Sequence, residues 1–290
     1  MMSVLDIIHS LYAIIGVTGN LTLITIIIKT RSSGLNSYAV IIFNIACVDI
    51  IQITLDAFEV PRLIPYEDET VLVFHGYCPV FGPEWCYRCH LVMLHLIFHS
   101  LFLIAYSFWY RYTVLVREAP FWFAVQTGAL LLFIPNALPM VFSLFATDNR
   151  NRSRAILHEL YPTMDVNATT FRSVNLMDPY SAPTDFSAMV GPFVVYIFIV
   201  VMRRKVIQCR NTLKNRFGLR TVDRSNQTSQ ALTYQAILPS TICVGVCSFY
   251  FQLIGFHIPL IDGMMFICSC IPAIFNPLLT LYFVAPYRRF

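Results

Sequence analysis

The stretch that decides the fold is HLVMLHLIFHSLFLIAYSFWYRY, residues 90–112. From His90 to Tyr110 it contains no Asp, Glu, Lys or Arg, and Arg111 then lies between two tyrosines, Tyr110 and Tyr112. A run of about 20 mostly apolar residues is long enough for a helix to cross a bilayer. The stretch therefore predicts a membrane-spanning helix whose apolar part ends at an aromatic-flanked arginine.

The rest of the chain has the same character. Its 290 residues are 57% hydrophobic and 12% charged, and the mean hydropathy is +0.64. A soluble domain carries about twice that charged fraction, so a lipid bilayer is the expected solvent. The net charge of +4 is small, and no long basic run is interleaved with aromatic residues. Nucleic acid is therefore excluded as a partner.

Hydropathy predicts seven spans and no separate soluble domain, so residues 1–290 form one all-α seven-helix bundle. The predicted spans are residues 4–28, 38–60, 89–110, 121–145, 186–202, 231–254 and 258–283. Lys and Arg concentrate after spans one, three, five and seven, above all in residues 203–224, whereas Asp and Glu gather in the other loops. The positive-inside rule then predicts an outside N-terminus and a cytoplasmic C-terminus.

The predicted outer loops contain two kinds of modification site. Cys78, Cys86 and Cys89 lie close together before span three, and the segment CPVFGPEWC places a Gly-Pro turn between the first two. In an oxidising compartment we expect the disulfide Cys78–Cys86. Two glycosylation sequons, at Asn151 and Asn167, fall in the loop 146–185, on the side that the charges place outside.

Polar residues at membrane depth are the candidates for function. In span two, Asp49, Gln52, Asp56 and Glu59 recur at helical spacing and share one face. This stripe is consistent with an ion or ligand site, with a polar switch network, or with a structural hydrogen-bonded seam between helices. Asn20, Asp49 and Asn276 are expected either to form one cluster or to act separately as packing contacts.

Span three carries His95 and His99 on one face. A second stripe at helical spacing lies elsewhere around the helix and consists of Met93, Ile97, Ser100, Ile104, Ser107 and Arg111. Because no carboxylate shares the histidine face, we predict buried, hydrogen-bonded histidines, with no metal site and no cofactor. Both stripes are buried only if span three is central. The chain has no GxSxG, HExxH or P-loop motif, so it is not expected to be an enzyme.

Several of these features together resemble a rhodopsin-like G-protein-coupled receptor. The distance from Cys86 to Arg111, the pair Gly19-Asn20, Asp49 and NPLLTLY (276–282) match that pattern. The departures are Tyr110 in place of an acidic residue, Tyr282 two positions late, no aromatic-Pro switch in span six and no cysteine in the second outer loop.

The chain is more similar to the nematode serpentine chemoreceptors of class delta. The motifs that carry the resemblance are YCPVFGPEWCY (77–87), HLIFHS (95–100), YRYTVL (110–115) and NPLLTLYFVAPYRR (276–289). The resemblance implies a receptor in the plasma membrane of a sensory neuron, in its ciliary membrane. It also implies an odorant-like small-molecule ligand from the environment and a heterotrimeric G protein as partners, with a receptor dimer left open.

The resemblance also implies roles for particular residues. Arg111 would lock the inactive bundle and later contact the G protein; its alternative is a cation that reaches lipid phosphates. Residues 203–224 would be the partner surface, with anionic lipid as the alternative. The full set predicted for the switch is Tyr110, Arg111, Tyr112, Asn20, Asp49, Asn276, Pro277 and Tyr282.

A ligand site in the outer half of the bundle is predicted from position along the helices alone. The candidates are Met93, Leu94, Ile97, Phe249, Gln252 and Phe256. They would form a largely apolar pocket suited to lipophilic ligands, and ordinary helix packing accounts for each of them equally well.

Three other readings remain at this point. The acidic stripe of span two is compatible with a transporter or channel subunit. An intramembrane hydrolase would use His95 and His99. A truncated receptor is the third reading, because the chain ends at Phe290, close to the end of span seven.

Overall fold

The computed structural model describes residues 4–30, 36–217, 230, 232–256 and 258–283. The segment 203–224 is therefore described only in part, and Arg288, Arg289 and Phe290 lie outside the described residues. The helices are α1 Val4–Thr30, α2 Asn36–Glu59, α3 Pro83–Val116, α4 Trp122–Leu131, α5 Ile134–Ser143, α6 Arg150–Leu160, α7 Ala182–Phe217, α8 Ser240–Leu253 and α9 Pro259–Phe283. The strands are β1 Pro61–Tyr66, β2 Glu69–Phe74 and β3 Thr170–Asn175.

The seven predicted spans are confirmed, because seven helical segments of the described chain are long and apolar enough to cross a bilayer. They are α1, α2, α3, α4 with α5, α7, a segment Leu232–Leu253 that contains α8, and α9. Span four is interrupted at Leu132–Phe133, beside Pro135 and Pro139 in α5. Proline lacks a backbone N–H and breaks the helical hydrogen-bond ladder.

Two helices extend well beyond the predicted spans. α3 begins at Pro83, not at residue 89, and continues to Val116, not residue 110. α7 runs from Ala182 to Phe217, where only 186–202 was predicted. Backbone hydrogen bonds continue past the apolar boundary until a breaker occurs, and Gly82-Pro83 marks the start of α3. Arg111 consequently lies more than one turn inside α3.

α3 is the central helix of the bundle, as expected from its two buried stripes. In its most apolar stretch 78% of the residues are buried, against 56% in that of α9 and 22% in that of α1. Its buried side chains include Met93, Ile97, Leu101 and Phe108, which belong to the main hydrophobic core. Because α3 runs from Pro83 to Val116, it reaches from the sheet end to the arginine end.

A three-stranded antiparallel sheet, not predicted from the sequence, covers one end of the bundle. β1 and β2 form a hairpin in which Pro61 pairs with Phe74 and Tyr66 with Glu69. β3 pairs with the other edge of β2. We call the end that carries this sheet the sheet end, and the opposite end, where Arg111 lies, the arginine end. The charge distribution predicts that the sheet end faces outside.

Candidate functional site

A cavity of about 50 Å³ lies inside the bundle at the sheet end. Its roof is formed by apolar residues of the sheet, such as Leu63 and Leu72, and its walls by α3, α7, α8 and α9. Most of the lining is apolar, with His90 on α3 and Asp185 on α7 as ionisable members. A concave, mostly apolar cavity with a few polar groups is the usual form of a small-molecule site.

The cavity includes only two of the six residues predicted for the ligand site. Leu94 and Phe249 line it. Met93 and Ile97 are buried in the core without lining it. Gln252 is buried and donates from Nε2 to the Ile261 carbonyl at 3.4 Å. Phe256 is 59% exposed. Position along a helix can be estimated from the sequence, but the rotation of the helix about its own axis depends on packing.

Several hydroxyl groups that line the cavity hydrogen-bond to other protein groups. Tyr87 donates to the Ser143 carbonyl at 3.0 Å, and the hydroxyls of Ser143 and Thr184 lie 2.7 Å apart. Ser181 donates to the Asn175 carbonyl at 2.7 Å. These contacts fix the start of α7 against α3, α5 and the sheet. This set could not be predicted from the sequence, since its members come from four separate segments.

The acidic stripe of α2 is a seam that joins this helix to its neighbours. Its four side chains are all at most 1% exposed, and each has a partner on a neighbouring helix: α1, α3 or α9. The contacts are Ser100 Oγ to Asp49 Oδ1 at 2.6 Å, Gln52 Nε2 to Ser269 O at 3.3 Å, His9 Nδ1 to Asp56 Oδ2 at 2.5 Å and His90 Nδ1 to Glu59 Oε2 at 3.2 Å. These contacts favour the structural reading of the stripe.

Arginine side chains cross-link the sheet to the helices. Arg62 Nη2 on β1 donates to Asp262 Oδ2 on α9 at 2.6 Å, and both side chains are buried. The Tyr161 hydroxyl donates to the same carboxylate oxygen at 2.6 Å. Burial and the Asp262 carboxylate raise the pKa of Tyr161, which keeps this hydroxyl a donor.

A second arginine ties β3 to α3 and to the segment after α5. Arg172 donates to Glu84 Oε2 at 2.5 Å and to the Ala146 carbonyl at 2.8 Å. Its guanidinium carbon also lies 3.9 Å from the centre of the Tyr87 ring. The sheet is therefore attached to the bundle by buried charge as well as by apolar packing.

Asn20, Asn276 and Pro277 meet in a small cavity of about 20 Å³ between α1, α2, α3 and α9. Asn20 Nδ2 donates to the carbonyls of Gly16 and Ala273, each at 2.9 Å. A Cβ on Gly19 would lie 3.3 Å from the Pro277 ring, so the glycine permits this close approach of α1 and α9. Two of the three residues of the predicted cluster, Asn20 and Asn276, therefore line the same cavity.

Asp49 lies beside this cluster, near Asn276. Its Oδ1 accepts the hydrogen bond from Ser100. Its Oδ2 and the Asn276 Nδ2 are both buried. Tyr282 does not join the group, because it is 62% exposed and packs edge-on against Phe283.

Arg111 is held by a tyrosine from α2. Its Nη2 donates to the Tyr38 hydroxyl, and its guanidinium carbon lies 4.9 Å from the centre of the Tyr38 ring. Tyr38 in turn stacks on Tyr110, with ring centroids 5.9 Å apart. Tyr110, which replaces the acidic neighbour of the rhodopsin-like pattern, therefore supports the side chain that binds the arginine. Tyr38 was missed because it starts a different helix.

Tyr112, on the other side of Arg111, faces α7. The ammonium nitrogen of Lys205 lies 5.9 Å from the centre of the Tyr112 ring. Arg203 Nη2 donates to the Thr233 hydroxyl at 2.8 Å, which joins α7 to the start of span six. Tyrosine rings and single hydrogen bonds thus connect α2, α3, α7 and span six at the arginine end.

At the sheet end Cys78 and Cys86 form a disulfide, with Cα atoms 5.3 Å apart. Gly82 lies between them with φ of +90°, a conformation that glycine adopts without strain. Asn151 and Asn167 are both exposed at this end. The positions of the two asparagines are compatible with their predicted glycosylation.

The bundle resembles a solved seven-helix receptor. The crystal structure of squid rhodopsin superposes with a TM-score of 0.66 at 14% identity, over 98% of this chain and 82% of that one. At that level of identity the likeness establishes the fold alone. Together with the seven spans, it defines the class: a rhodopsin-like seven-transmembrane bundle.

Comparison of the sequence with protein families goes further. A family model described as "Serpentine type 7TM GPCR chemoreceptor Srd" matches residues 5–290, so the chain belongs to this family of chemoreceptors. Among similar proteins, serpentine receptor class delta-18 of Caenorhabditis elegans is 27% identical over 97% of this chain and 85% of its own. Serpentine receptor class delta-3 of the same species is 28% identical over 92% and 80%. The chain is a non-enzymatic integral membrane protein.

Proposed function

We propose that this chemoreceptor binds an environmental small molecule in the sheet-end cavity and activates a heterotrimeric G protein through its arginine end. The observation that carries the proposal is the contact between Arg111 and Tyr38. This contact holds α3 against α2 at the arginine end through a hydroxyl and an aromatic ring. Such a contact is strong enough to hold one arrangement and weak enough to be exchanged for a partner.

The mechanism is a shift between two arrangements of the helices. A ligand changes their populations only to the extent that it binds one better than the other. The cavity walls include α7 and α8, and the same α7 carries Arg203 and Lys205 at the arginine end. A ligand that moves α7 would therefore also disturb the contacts of Lys205 with Tyr112 and of Arg203 with Thr233.

The remaining parts of the proposal concern surroundings and partners. An N-terminus outside and residues 203–224 in the cytoplasm follow from the distribution of basic residues. The plasma membrane of a sensory neuron, and its ciliary membrane in particular, follow from the family. In this orientation the sheet-end cavity lies near the outer surface, where an odorant arrives.

The test is Arg111→Ala in cells that express the chain, with G-protein activation measured across an odorant panel. We expect the mutant to reach the cell surface and to lose agonist-evoked activation. Arg117→Ala is the matched control, because Arg117 is an exposed cation one turn and a half further along the same helix end. Retained signalling in Arg111→Ala, or equal loss in both variants, would contradict the proposed role.

A further inference from the structure

One carboxylate that lines the sheet-end cavity has an unsatisfied oxygen atom. Asp185 lies in the first turn of α7 and lines the cavity. Its Oδ2 is buried and has no hydrogen-bond partner among the described residues. Removing an ionised carboxylate from water costs several kcal/mol unless a cation or a donor compensates for it. The position is therefore costly for the protein by itself and favourable for a cationic ligand.

The basic side chains around the cavity are already engaged with other carboxylates. Arg172 is bound to Glu84, and Arg62 is bound to Asp262. His90, which lines the cavity, has Nδ1 3.2 Å from Glu59. No Lys or Arg belongs to the lining within the described residues. A counter-ion for Asp185 is thus not supplied from this part of the protein.

The other unpartnered polar atom of the lining is also a hydrogen-bond acceptor. It is the Thr70 hydroxyl oxygen on β2, which is buried like Asp185 Oδ2. The ionised carboxylate only accepts hydrogen bonds, the hydroxyl both accepts and donates them, and an alkylammonium group has only donors. The polar character of the cavity therefore matches an ammonium group better than it matches a carboxylate or phosphate.

The remainder of the lining limits the size of the ligand. Leu91, Leu94, Met189, Phe249 and Phe266 provide apolar walls. The volume of about 50 Å³ is well below the roughly 150 Å³ of an apolar cavity that accepts benzene. Methionine side chains rearrange easily and would allow limited expansion. The space suits a short alkyl chain.

We propose that the sheet-end cavity binds a short-chain protonated amine, with its ammonium group on Asp185 and its alkyl chain against the apolar walls. This inference names the ligand class of the site described above and rests on the proposed function only for the signalling consequence. The binding event itself depends on the cavity alone, so it is measured without a G protein.

The experiment measures binding to the purified full chain in lipid nanodiscs at neutral pH. The probes are the linear primary amines from methylamine to hexylamine, each compared with the alcohol of equal length. The variants are Asp185→Asn, which keeps the shape and removes the charge, and Asp185→Glu, which keeps the charge. Glu67→Gln is the matched control, because Glu67 is an exposed carboxylate at the same end.

We expect the shorter amines to bind better than their alcohols, and Asp185→Asn to lose at least about tenfold in affinity. Asp185→Glu should retain binding with a preference for a shorter chain, and Glu67→Gln should be unchanged. Alcohols that bind as well as amines, or amines that bind Asp185→Asn as well as the parent chain, would overturn the inference. Amine binding without G-protein activation in cells would refute the proposed function and leave the ligand class standing.

Discussion

The two ends of the bundle hold their charged side chains in different ways. At the sheet end, a buried ion pair joins Arg62 to Asp262, and buried histidine–carboxylate contacts join His9 to Asp56 and His90 to Glu59. At the arginine end, by contrast, the cations lie over tyrosine rings or donate to a hydroxyl. In the sequence, the loops of this end contain only two carboxylates, Glu118 and Asp223.

This difference indicates which end is easier to rearrange. Breaking a buried ion pair by removing one partner costs about 3–5 kcal/mol, whereas a cation–π contact contributes about 0.5–2 kcal/mol and a hydrogen bond to a charged group about 1.5–3 kcal/mol. The sheet, the disulfide, the Arg62–Asp262 ion pair and the buried histidine contacts therefore form the more strongly held cover of the cavity. The tyrosine contacts of the arginine end separate at lower cost, which is what a switch that meets a protein partner requires.

The largest expected effect comes from breaking the ion pair between β1 and α9. Asp262→Ala should lower the free energy of unfolding by about 3–5 kcal/mol, because Arg62 would remain buried without a counter-ion and Tyr161 would lose its acceptor. The measurement is unfolding of the purified chain by SDS titration from mixed micelles. Glu67→Ala, in an exposed pair with Arg152, is the control and should change little.

Arg62→Met combined with Asp262→Leu adds a second check of the same pair. Because both charges are removed together, this variant should be more stable than Asp262→Ala. A double variant as unstable as the single one would mean that shape, rather than charge, dominates at this contact.

A smaller loss is expected from opening the disulfide. Cys78→Ser with Cys86→Ser should cost about 2–4 kcal/mol and should loosen the segment that begins α3 beneath the sheet. Cys89→Ser is the matched control, since Cys89 is a free thiol in the same helix. Equal effects of the two changes on SDS unfolding would show that the bridge itself contributes nothing.

The third effect is functional. Tyr38→Phe keeps the ring over Arg111 and removes the hydroxyl that accepts its hydrogen bond. A hydrogen bond to a charged group contributes about 1.5–3 kcal/mol, so basal G-protein activation should rise by roughly tenfold or more if this bond favours the inactive arrangement. Basal activity in a nucleotide-exchange assay measures it. Unchanged or lower basal activity would remove Tyr38 from the lock.

The bundle could be predicted from the sequence and the sheet could not. Each run of about 20 apolar residues predicts a membrane-spanning helix without information from the rest of the chain, because crossing the bilayer requires that length. The strands are short, and β3 joins the β1–β2 hairpin from a distant loop. The run TVLVF after Glu67-Asp68 was a local signal for a hairpin. Its third partner depends on how the helices bring the two loops together.

The candidate sites could be predicted only in part for the same reason, because contacts between distant segments depend on the packing of the helices. Asp49, Gln52, Asp56 and Glu59 could be placed on one face of α2 from spacing alone. Their partners, such as His9 and Ser269, could not, since they depend on which helices are neighbours and how each is rotated. Asp185 was overlooked for a related reason: one carboxylate at a span boundary is common, and only the cavity around it distinguishes it.

The most direct test of the account compares movement at the two ends. Two pairs of residues are replaced by spin-labelled unnatural amino acids: the pair Val116 and Gln208 at the arginine end, and the pair Val80 and Met177 at the sheet end. All four residues are exposed. Distances between each pair are measured in nanodiscs with and without a nucleotide-free heterotrimeric G protein. The account predicts a longer Val116–Gln208 distance and an unchanged Val80–Met177 distance when the G protein is added. An unchanged arginine end, or equal shifts at both ends, would contradict it.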